Sequence, residues 1–171
     1  RRYWKSKEER RSDRTRLDGI RTKVLAAVPG CAVSADQAYR EADLAIDFCE
    51  DVPPLAMREV EKIVSCFESA GAKAKISSIH VNGWFGQYDK LTMTRMLFAE
   101  VFKDDLGAVK ADVIFIGDSP NDVPMFRFFP NAVGVANIVQ FKEKIQHRPA
   151  YVTRQEGGYG FAEMVDVILA K

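Results

Sequence analysis

The sequence predicts an α/β protein with a parallel, helix-covered sheet in its second half and a smaller α+β region in its first half. From residue 90 onward, helical and strand-like patterns alternate in the order αβαβαβα, which is typical of a parallel sheet. Residues 112–116 are mostly apolar and β-branched, as in a strand buried on both faces. The order of helical and strand-like patterns is different in the first half. Gly83 and Gly86 permit a hinge between the two regions at residues 84–89.

The bulk composition indicates a globular protein and argues against several classes of partner. The 171 residues suffice for one ordinary domain or two small ones, and 47% of them are apolar. The formal net charge of +1 gives no sign of nucleic acid or a membrane surface as the main partner. No apolar run approaches the length of a membrane span, and no secretory signal is visible. The sequence leaves the oligomeric state open.

The three cysteines indicate a reducing compartment. Cys31, Cys49 and Cys66 are odd in number, widely spaced and without a CxxC pair. We therefore expect buried thiols rather than disulfides or a metal site, and a cytoplasmic location.

The basic first 23 residues allow two interpretations. They contain ten Lys or Arg and four acidic residues. A basic patch for nucleic acid is conceivable, but a solvated helix of mixed charge is favoured. The apolar stripe from Leu17 to Ala27 predicts a helix over about residues 12–28, ended by the following Pro-Gly pair.

The rest of the first half predicts three strands and one helix. The strands are at residues 31–34, 43–48 and 75–85, and the helix is at residues 55–70. Asp43 and Asp47 could form a metal pair, but alternation along a half-exposed strand explains them better. His80, Asn82 and Trp84 share one face of the last of these strands.

The second half predicts four helices and three parallel strands. The helices are at residues 91–102, 120–128, 138–146 and 160–170, and the strands are at 112–116, 132–136 and 150–153. Three strands are few for a doubly wound core. We therefore expect further strands in the protein, upstream of Arg1.

A polar cluster follows the first of these parallel strands and carries the strongest functional signal. Gly117 ends the strand, and Asp118, Asn121 and Asp122 follow within five positions. The intervening Pro120 suits the first turn of a helix, so the cluster lies where a strand ends and a helix begins. Ligands bind at that edge of an open α/β sheet, and hard oxygen ligands suit Mg²⁺. The alternative is that these residues form an ordinary turn and a helix N-cap without binding a ligand. The buried strand before them and the helix after them argue against it.

Residues 117–122 resemble the fourth motif, GDxxND, of the haloacid dehalogenase (HAD) superfamily of phosphatases. Lys90, which heads the helix upstream, resembles the third-motif lysine. The Cof-like branch, with sucrose-phosphate and mannosyl-3-phosphoglycerate phosphatases, inserts an α/β cap between its second and third motifs. Residues 1–84 are similar to that cap. Residues 156–164 resemble the C-terminal segment of the mannosyl-3-phosphoglycerate phosphatases. The resemblance implies that residues 85–171 are the C-terminal part of a Rossmann-like HAD core.

The sequence departs from this family at its first two motifs. The first, DxDxT, carries the nucleophilic aspartate and an acid–base aspartate, and no segment of the chain has this pattern. The nearest candidate, from Asp43 to Asp51, has the wrong spacing and lies inside the predicted cap. The second-motif Ser or Thr is missing as well. Both motifs are expected upstream of Arg1, and the 171 residues by themselves are expected to be inactive.

The resemblance implies catalysis through an aspartyl-phosphate that water then hydrolyses. Asp118 is assigned as the Mg²⁺ ligand from this segment. Asp122 would either complete the metal shell or orient Lys90. Asn121 is a further predicted metal ligand, and it would hydrogen-bond the phosphoryl region or a metal-bound water. Lys90 would bind the phosphate and offset the nearby carboxylates, or else it is a solvated first-turn lysine.

The cap is expected to choose the substrate, a phosphomonoester of a sugar or sugar-glycerate. His80, Asn82 and Trp84 could touch the sugar, with Trp84 stacking on it, and packing between domains is an equal alternative. A non-catalytic fragment or pseudo-phosphatase that binds phosphorylated ligands or a partner protein is the second hypothesis, since no nucleophile is visible. The phosphorylation domain of a P-type ATPase is the third, and the cap pattern argues against it.

Overall fold

The computed structural model describes residues 2–143 and 145–170, which fold as two compact units. The division falls between Gln87 and Tyr88. The first unit contains an antiparallel sheet and the second a parallel one, each with helices. The predicted α/β class with a parallel sheet is therefore confirmed. No helix among the described residues has both the length and the apolar composition needed to cross a membrane.

Two helices and four strands build the described part of the first unit. They are α1 (Lys7–Ala27), β1 (Ala32–Val33), β2 (Asp43–Asp47), α2 (Met57–Ser69), β3 (Lys73–Ile76) and β4 (His80–Trp84). All neighbouring strands are antiparallel, in the order β1-β2-β4-β3. A short 3₁₀ helix, Ala35–Tyr39, joins β1 to β2.

The apolar core of the first unit lies between its helices and one face of its sheet. The core includes Leu17, Ile20, Val24, Leu44, Ile46, Val60, Ile63, Phe67 and Val81. Phe67 of α2 lies against Gly83 of β4, where an added Cβ would come within 2.2 Å of the ring. Glycine in this strand therefore permits a close approach of helix and sheet.

The helix α1 begins at Lys7, earlier than the predicted start near residue 12. Ser6 caps it: the Ser6 hydroxyl accepts the N–H of Glu9, and the Glu9 carboxylate accepts the N–H of Ser6. This reciprocal pair satisfies two N–H groups at the helix end and lets the helix include the mixed-charge segment. The same bonds from Ser6 lower the pKa of Glu9. The helix agrees with the solvated, mixed-charge interpretation.

The single strand predicted at residues 75–85 is wrong, because this segment is the hairpin of β3 and β4. Ser77 closes the turn with His80: its N–H and its hydroxyl donate to the His80 carbonyl, and its Oγ accepts the His80 N–H. Serine side chains commonly stabilise turns in this way. His80, Asn82 and Trp84 still share one face, since they alternate along β4.

Four α-helices and three strands build most of the described part of the second unit. They are α3 (Lys90–Leu97), α4 (Leu106–Val109), β5 (Ile114–Gly117), α5 (Val123–Phe128), β6 (Asn131–Gly134), β7 (Tyr151–Val152) and α6 (Gly157–Leu169). The strands are parallel, in the order β5-β6-β7, so their carboxyl ends lie at one edge of the sheet. The core contains Leu106, Met125, Phe126, Phe129, Ala132 and Ile138.

The strand β5 is less buried than its apolar sequence predicts. Ile114 is 43% exposed, and Phe115 and Ile116 are half-buried. The strand β6 pairs with one side of β5, and no described strand pairs with the other. The strand therefore has the composition of an interior strand of a parallel sheet, but an edge position.

The α-helix predicted at residues 138–146 is wrong. A 3₁₀ helix, Ala136–Phe141, occupies the start of that range, and the N–H groups of Ile138 and Lys142 each bond the carbonyl three residues earlier. Residue 144 lies outside the described residues.

Candidate functional site

A tight loop follows β5 and is closed by the buried carboxylate of Asp122. Only 1% of this residue is exposed. Its Oδ2 accepts the N–H of Asp118 at 3.0 Å and the N–H of Ser119 at 3.3 Å. Beyond the loop, a 3₁₀ turn at Pro120–Asp122 leads directly into α5. The polar segment is thus held in one conformation by its own aspartate.

Lys90 neutralises this buried carboxylate from a distant part of the chain. It is the first residue of α3, whose N-cap Asp89 accepts the N–H and the hydroxyl of Thr92 at 2.8 Å. The Lys90 ammonium forms an ion pair with Asp122 Oδ1 and donates to Asn121 Oδ1 at 2.9 Å. A buried carboxylate needs such a partner, so this contact ties α3 to the loop.

Asn121 and Asp118 present groups that the loop itself leaves unused. Asn121 Oδ1 accepts from Lys90 and from the Ser119 hydroxyl at 3.0 Å, which leaves its Nδ2 as a donor. Asp118 is half-buried, and no described residue forms a hydrogen bond or an ion pair with its carboxylate. This edge of the sheet therefore presents an ammonium, an amide donor and an unpaired carboxylate.

The fit of these residues to Mg²⁺ rests on Asp118. Within the described part of the chain, no group of three or more His, Cys, Asp or Glu side chains is arranged to hold a metal ion. Of the predicted ligands, Asp122 has both oxygens engaged and the Asn121 oxygen has two donors. Mg²⁺ commonly takes one or two protein carboxylates and completes its shell with phosphate and water. One free carboxylate is compatible with that mode.

Gly117 lies against the Asp122 carboxylate and leaves no room for a side chain. An added Cβ would lie 2.5 Å from Asp122 Oδ2 and 2.7 Å from its Cγ. We expect Gly117→Ala to lower the free energy of unfolding by about 2 kcal/mol, the middle of the usual range for overpacking. Denaturant titration measures this. Gly158→Ala is the control, since nothing lies within 4 Å of its added Cβ. Equal stability of the two variants would contradict the close contact.

Asp43 and Asp47 are both engaged within the protein, but the prediction of a half-exposed, alternating strand is wrong, because four of the five residues of β2 are buried. Asp43 pairs with Arg40 at 2.8 Å. Asp47 is 1% exposed and accepts the backbone N–H groups of residues 49–51 at 2.8 to 2.9 Å. Burial alone would raise the pKa of Asp47, but these three bonds lower it. Asp47 therefore stabilises the turn after β2.

The three residues predicted to touch a substrate from the cap lie on β4, in the first unit. His80 is 6% exposed, and its Nε2 lies 3.0 Å from Glu50 Oε2 without the alignment of a hydrogen bond. Asn82 Oδ1 accepts from Arg40 at 3.3 Å. Asn82 and Trp84 are half-buried. His80 is thus packed inside the unit, and Asn82 and Trp84 are the accessible members.

Sequence reasoning missed two residues that organise these sites. Ser119 donates to Asn121, and its place before Pro120 is a signal that could have found it, because serine is common at N-caps. Arg40 carries no comparable signal, since Asp43 and Asn82 meet it only after the sheet forms.

Comparisons with known proteins show which fold this is. Neither a protein-family model nor a curated protein sequence matches the chain. Among solved structures, the sucrose-phosphatase of Synechocystis in complex with sucrose and phosphate matches with a TM-score of 0.59 at 14% identity, over 88% of this chain and 61% of that one. Protein 0175 of Thermoplasma acidophilum matches with a TM-score of 0.59 at 18% identity, over 88% and 60%.

A trehalose-6-phosphate phosphatase related protein also matches, with a TM-score of 0.53 at 12% identity, over 95% of this chain and 66% of that one. Identities this low show a shared fold. The chain spans about three fifths of the length of the first two structures.

Proposed function

We propose that this chain, which has the fold of the haloacid dehalogenase superfamily, is part of a Mg²⁺-dependent phosphomonoesterase for a phosphorylated sugar or sugar-glycerate. One observation carries the proposal: Lys90, Asn121 and Asp122 form a bonded cluster at the carboxyl edge of the parallel sheet, and the neighbouring Asp118 carboxylate has no partner among the described residues. Ligands of open α/β sheets bind at this edge.

In this proposal Lys90 and Asn121 bind the phosphoryl group. The Lys90 side chain is 52% exposed, so its ammonium can reach a phosphate while Asp122 anchors it. Asn121 Nδ2 donates a second hydrogen bond to a phosphoryl oxygen. Fixed positive charge and fixed donors stabilise the charge that develops during phosphoryl transfer. Asp122 acts as a positioning residue, because both of its oxygens are used inside the protein.

Asp118 would hold the Mg²⁺ ion. A divalent cation neutralises the phosphate oxygens and so permits the approach of an anionic nucleophile. The Asp118 carboxylate suits this role because it is the one acidic side chain of the loop without a described partner.

The nucleophile is expected from a DxDxT aspartate upstream of Arg1, since none of the 171 residues shows that pattern. Its carboxylate oxygen bonds to phosphorus as the bond from phosphorus to the ester oxygen breaks, and the leaving alcohol takes a proton. Water then hydrolyses the aspartyl-phosphate and releases inorganic phosphate. No described strand pairs with the outer edge of β5, and Ile114 on this strand is exposed, which supports a further strand beside it. The chain alone is accordingly expected to be inactive.

We assign residues 1–84 to a cap domain and residues 85–171 to the core. Asn82 and Trp84, which are accessible on β4, would touch the leaving group. His80 would support that strand from within, because it is almost fully buried.

We place the reaction in the cytoplasm. Cys31, Cys49 and Cys66 are free and half-buried, somewhat less buried than the sequence predicts. Burial raises the pKa of the Cys31 and Cys49 thiols, which keeps them protonated near neutral pH. Free, unreactive thiols suit a reducing compartment.

A second candidate is a non-catalytic protein that binds phosphorylated ligands or a partner protein. The missing nucleophile favours it. An assay of the full reading frame distinguishes the two. We expect release of inorganic phosphate from at least one of sucrose 6-phosphate, glucose 6-phosphate, mannosyl-3-phosphoglycerate and p-nitrophenyl phosphate, and we expect EDTA to abolish it. No release from any ester, with or without Mg²⁺, would establish the second candidate in its place.

A further inference from the structure

Ser119 lies inside the loop that follows β5, and only 1% of this residue is exposed. Its Oγ is 3.0 Å from Asn121 Oδ1 and 3.4 Å from Asp122 Oδ2. A hydroxyl has one proton to donate, so one of these two oxygens is its main acceptor. Asp122 Oδ2 already accepts two backbone N–H groups, and Asn121 Oδ1 is the nearer of the two. The Ser119 hydroxyl therefore donates to Asn121.

The bonds to Asn121 select one orientation of its carboxamide. The oxygen and the nitrogen of this group exchange places when it turns over. The Lys90 ammonium has only donors, so the atom that faces it at 2.9 Å must be the oxygen. The Ser119 proton selects the same atom. With Oδ1 held in this way, Nδ2 is turned away, and no described residue accepts a hydrogen bond from it.

The two donors that hold Asn121 differ in how firmly they are fixed. The Lys90 side chain is 52% exposed and has a flexible stem, and in the proposed function its ammonium also binds the phosphate. Ser119 has a short, enclosed side chain, and its backbone N–H donates to Asp122 Oδ2 at 3.3 Å. Ser119 is therefore the donor that stays in place when a phosphoryl group binds Lys90.

We infer that Ser119 is a positioning residue, whose hydroxyl keeps the Asn121 carboxamide turned so that Nδ2 meets a phosphoryl oxygen. The inference rests on the proposed function, because it concerns the same phosphoryl site. A reversed carboxamide would place Oδ1 against the phosphoryl oxygens, and two acceptors cannot form a hydrogen bond with each other. Because a hydroxyl is neutral, its removal disturbs this orientation without changing the charge of the site.

Binding of inorganic phosphate to the full-length protein tests the inference and does not require a nucleophile. In the presence of Mg²⁺, we expect Ser119→Ala to raise the Kd for phosphate by about 10-fold, the factor that corresponds to one hydrogen bond to a charged group. Asn121→Ala should raise this Kd by at least as much. Isothermal titration calorimetry measures both values.

The double variant, Ser119→Ala with Asn121→Ala, separates positioning from an independent effect. If Ser119 acts through the carboxamide, its hydroxyl contributes nothing once that carboxamide is gone. We therefore expect the Kd of the double variant to match that of Asn121→Ala within about two-fold. A general loss of structure would instead weaken phosphate binding in both backgrounds.

Thr153→Val is the matched control for the loss of a buried hydroxyl. Thr153 lies in the same unit and is 9% exposed, and its hydroxyl donates to the Gln155 carbonyl at 2.7 Å. We expect this variant and Ser119→Ala both to lose stability in denaturant titration, since each loses a buried hydrogen bond. The Kd of Thr153→Val for phosphate should stay at the wild-type value.

Four outcomes would overturn the inference. They are a wild-type Kd in Ser119→Ala, a further loss of about 10-fold from Asn121→Ala to the double variant, an equal loss in Thr153→Val, and no phosphate binding by the wild type. Ester hydrolysis decides the proposed function separately. Turnover by the wild type with an unchanged Kd in Ser119→Ala would leave the phosphatase standing. Phosphate binding without turnover would refute the phosphatase, and the same variants would still decide the role of Ser119.

Discussion

Replacing Asp118 by alanine is expected to abolish phosphatase activity in the full-length protein and leave its stability unchanged. The Asp118 carboxylate has no hydrogen-bond or ion-pair partner among the described residues, so the fold does not depend on it. In the proposed function it holds Mg²⁺, and a bound cation lowers the barrier by several kcal/mol. We therefore expect kcat/KM to fall by at least about 10³-fold at saturating Mg²⁺. Phosphate release and denaturant titration measure the two effects.

Asp112→Ala is the matched control for this experiment. Asp112 is exposed and precedes β5, so it lies at the opposite end of the same strand. We expect its variant to keep full activity. If Asp118→Ala retained normal Mg²⁺-dependent turnover, the assignment of the metal-binding residue would be wrong. If both variants lost activity together, a general effect on the second unit would be the cause.

Replacing Lys90 by methionine is expected to reduce both activity and stability. The Asp122 carboxylate is buried, and without Lys90 it would lose its only described cation. Breaking a buried ion pair costs about 3–5 kcal/mol, and because Lys90 is half-exposed we expect a smaller loss of about 2 kcal/mol. Loss of the charge that binds the phosphoryl group should lower kcat/KM by about 10²–10⁴-fold.

A double variant separates these two effects. In Lys90→Met with Asp122→Asn, the buried charge is gone, and the amide oxygen still accepts the N–H groups of residues 118 and 119. We expect unfolding free energy to recover and activity to remain lost. Lys142→Met, an exposed lysine of the same unit, should change neither quantity. Wild-type activity in Lys90→Met would remove this residue from the proposed mechanism.

Much of the fold and part of the site were predictable because they depend on neighbours in sequence. The parallel order of β5, β6 and β7 follows from alternating helical and strand patterns. The loop after β5 follows from a glycine, a proline and clustered polar residues over a few positions. The hairpin of β3 and β4 was not predictable as such, because the turn depends on how the Ser77 side chain bonds the N–H and the carbonyl of His80 rather than on apolar periodicity.

The sequence could not decide between the two possible roles of Asp122. Its position is compatible with a metal ligand or with a partner of Lys90, and these two residues are 32 positions apart. Only the fold brings the ammonium to the buried carboxylate and lets Oδ2 take two backbone N–H groups. With both oxygens engaged, the geometry favours the positioning role.

The amino-acid order by itself determined the α/β class and the clustering of acids and amide at the end of β5, since both arise from short-range patterns. The tertiary structure alone decided that Lys90 meets Asp122, that Arg40 meets Asn82, and that β5 is an edge strand of the described parallel sheet. The physical reason is that a hydrogen bond or ion pair between distant residues depends on ångström-scale distances, which packing sets and local propensity does not.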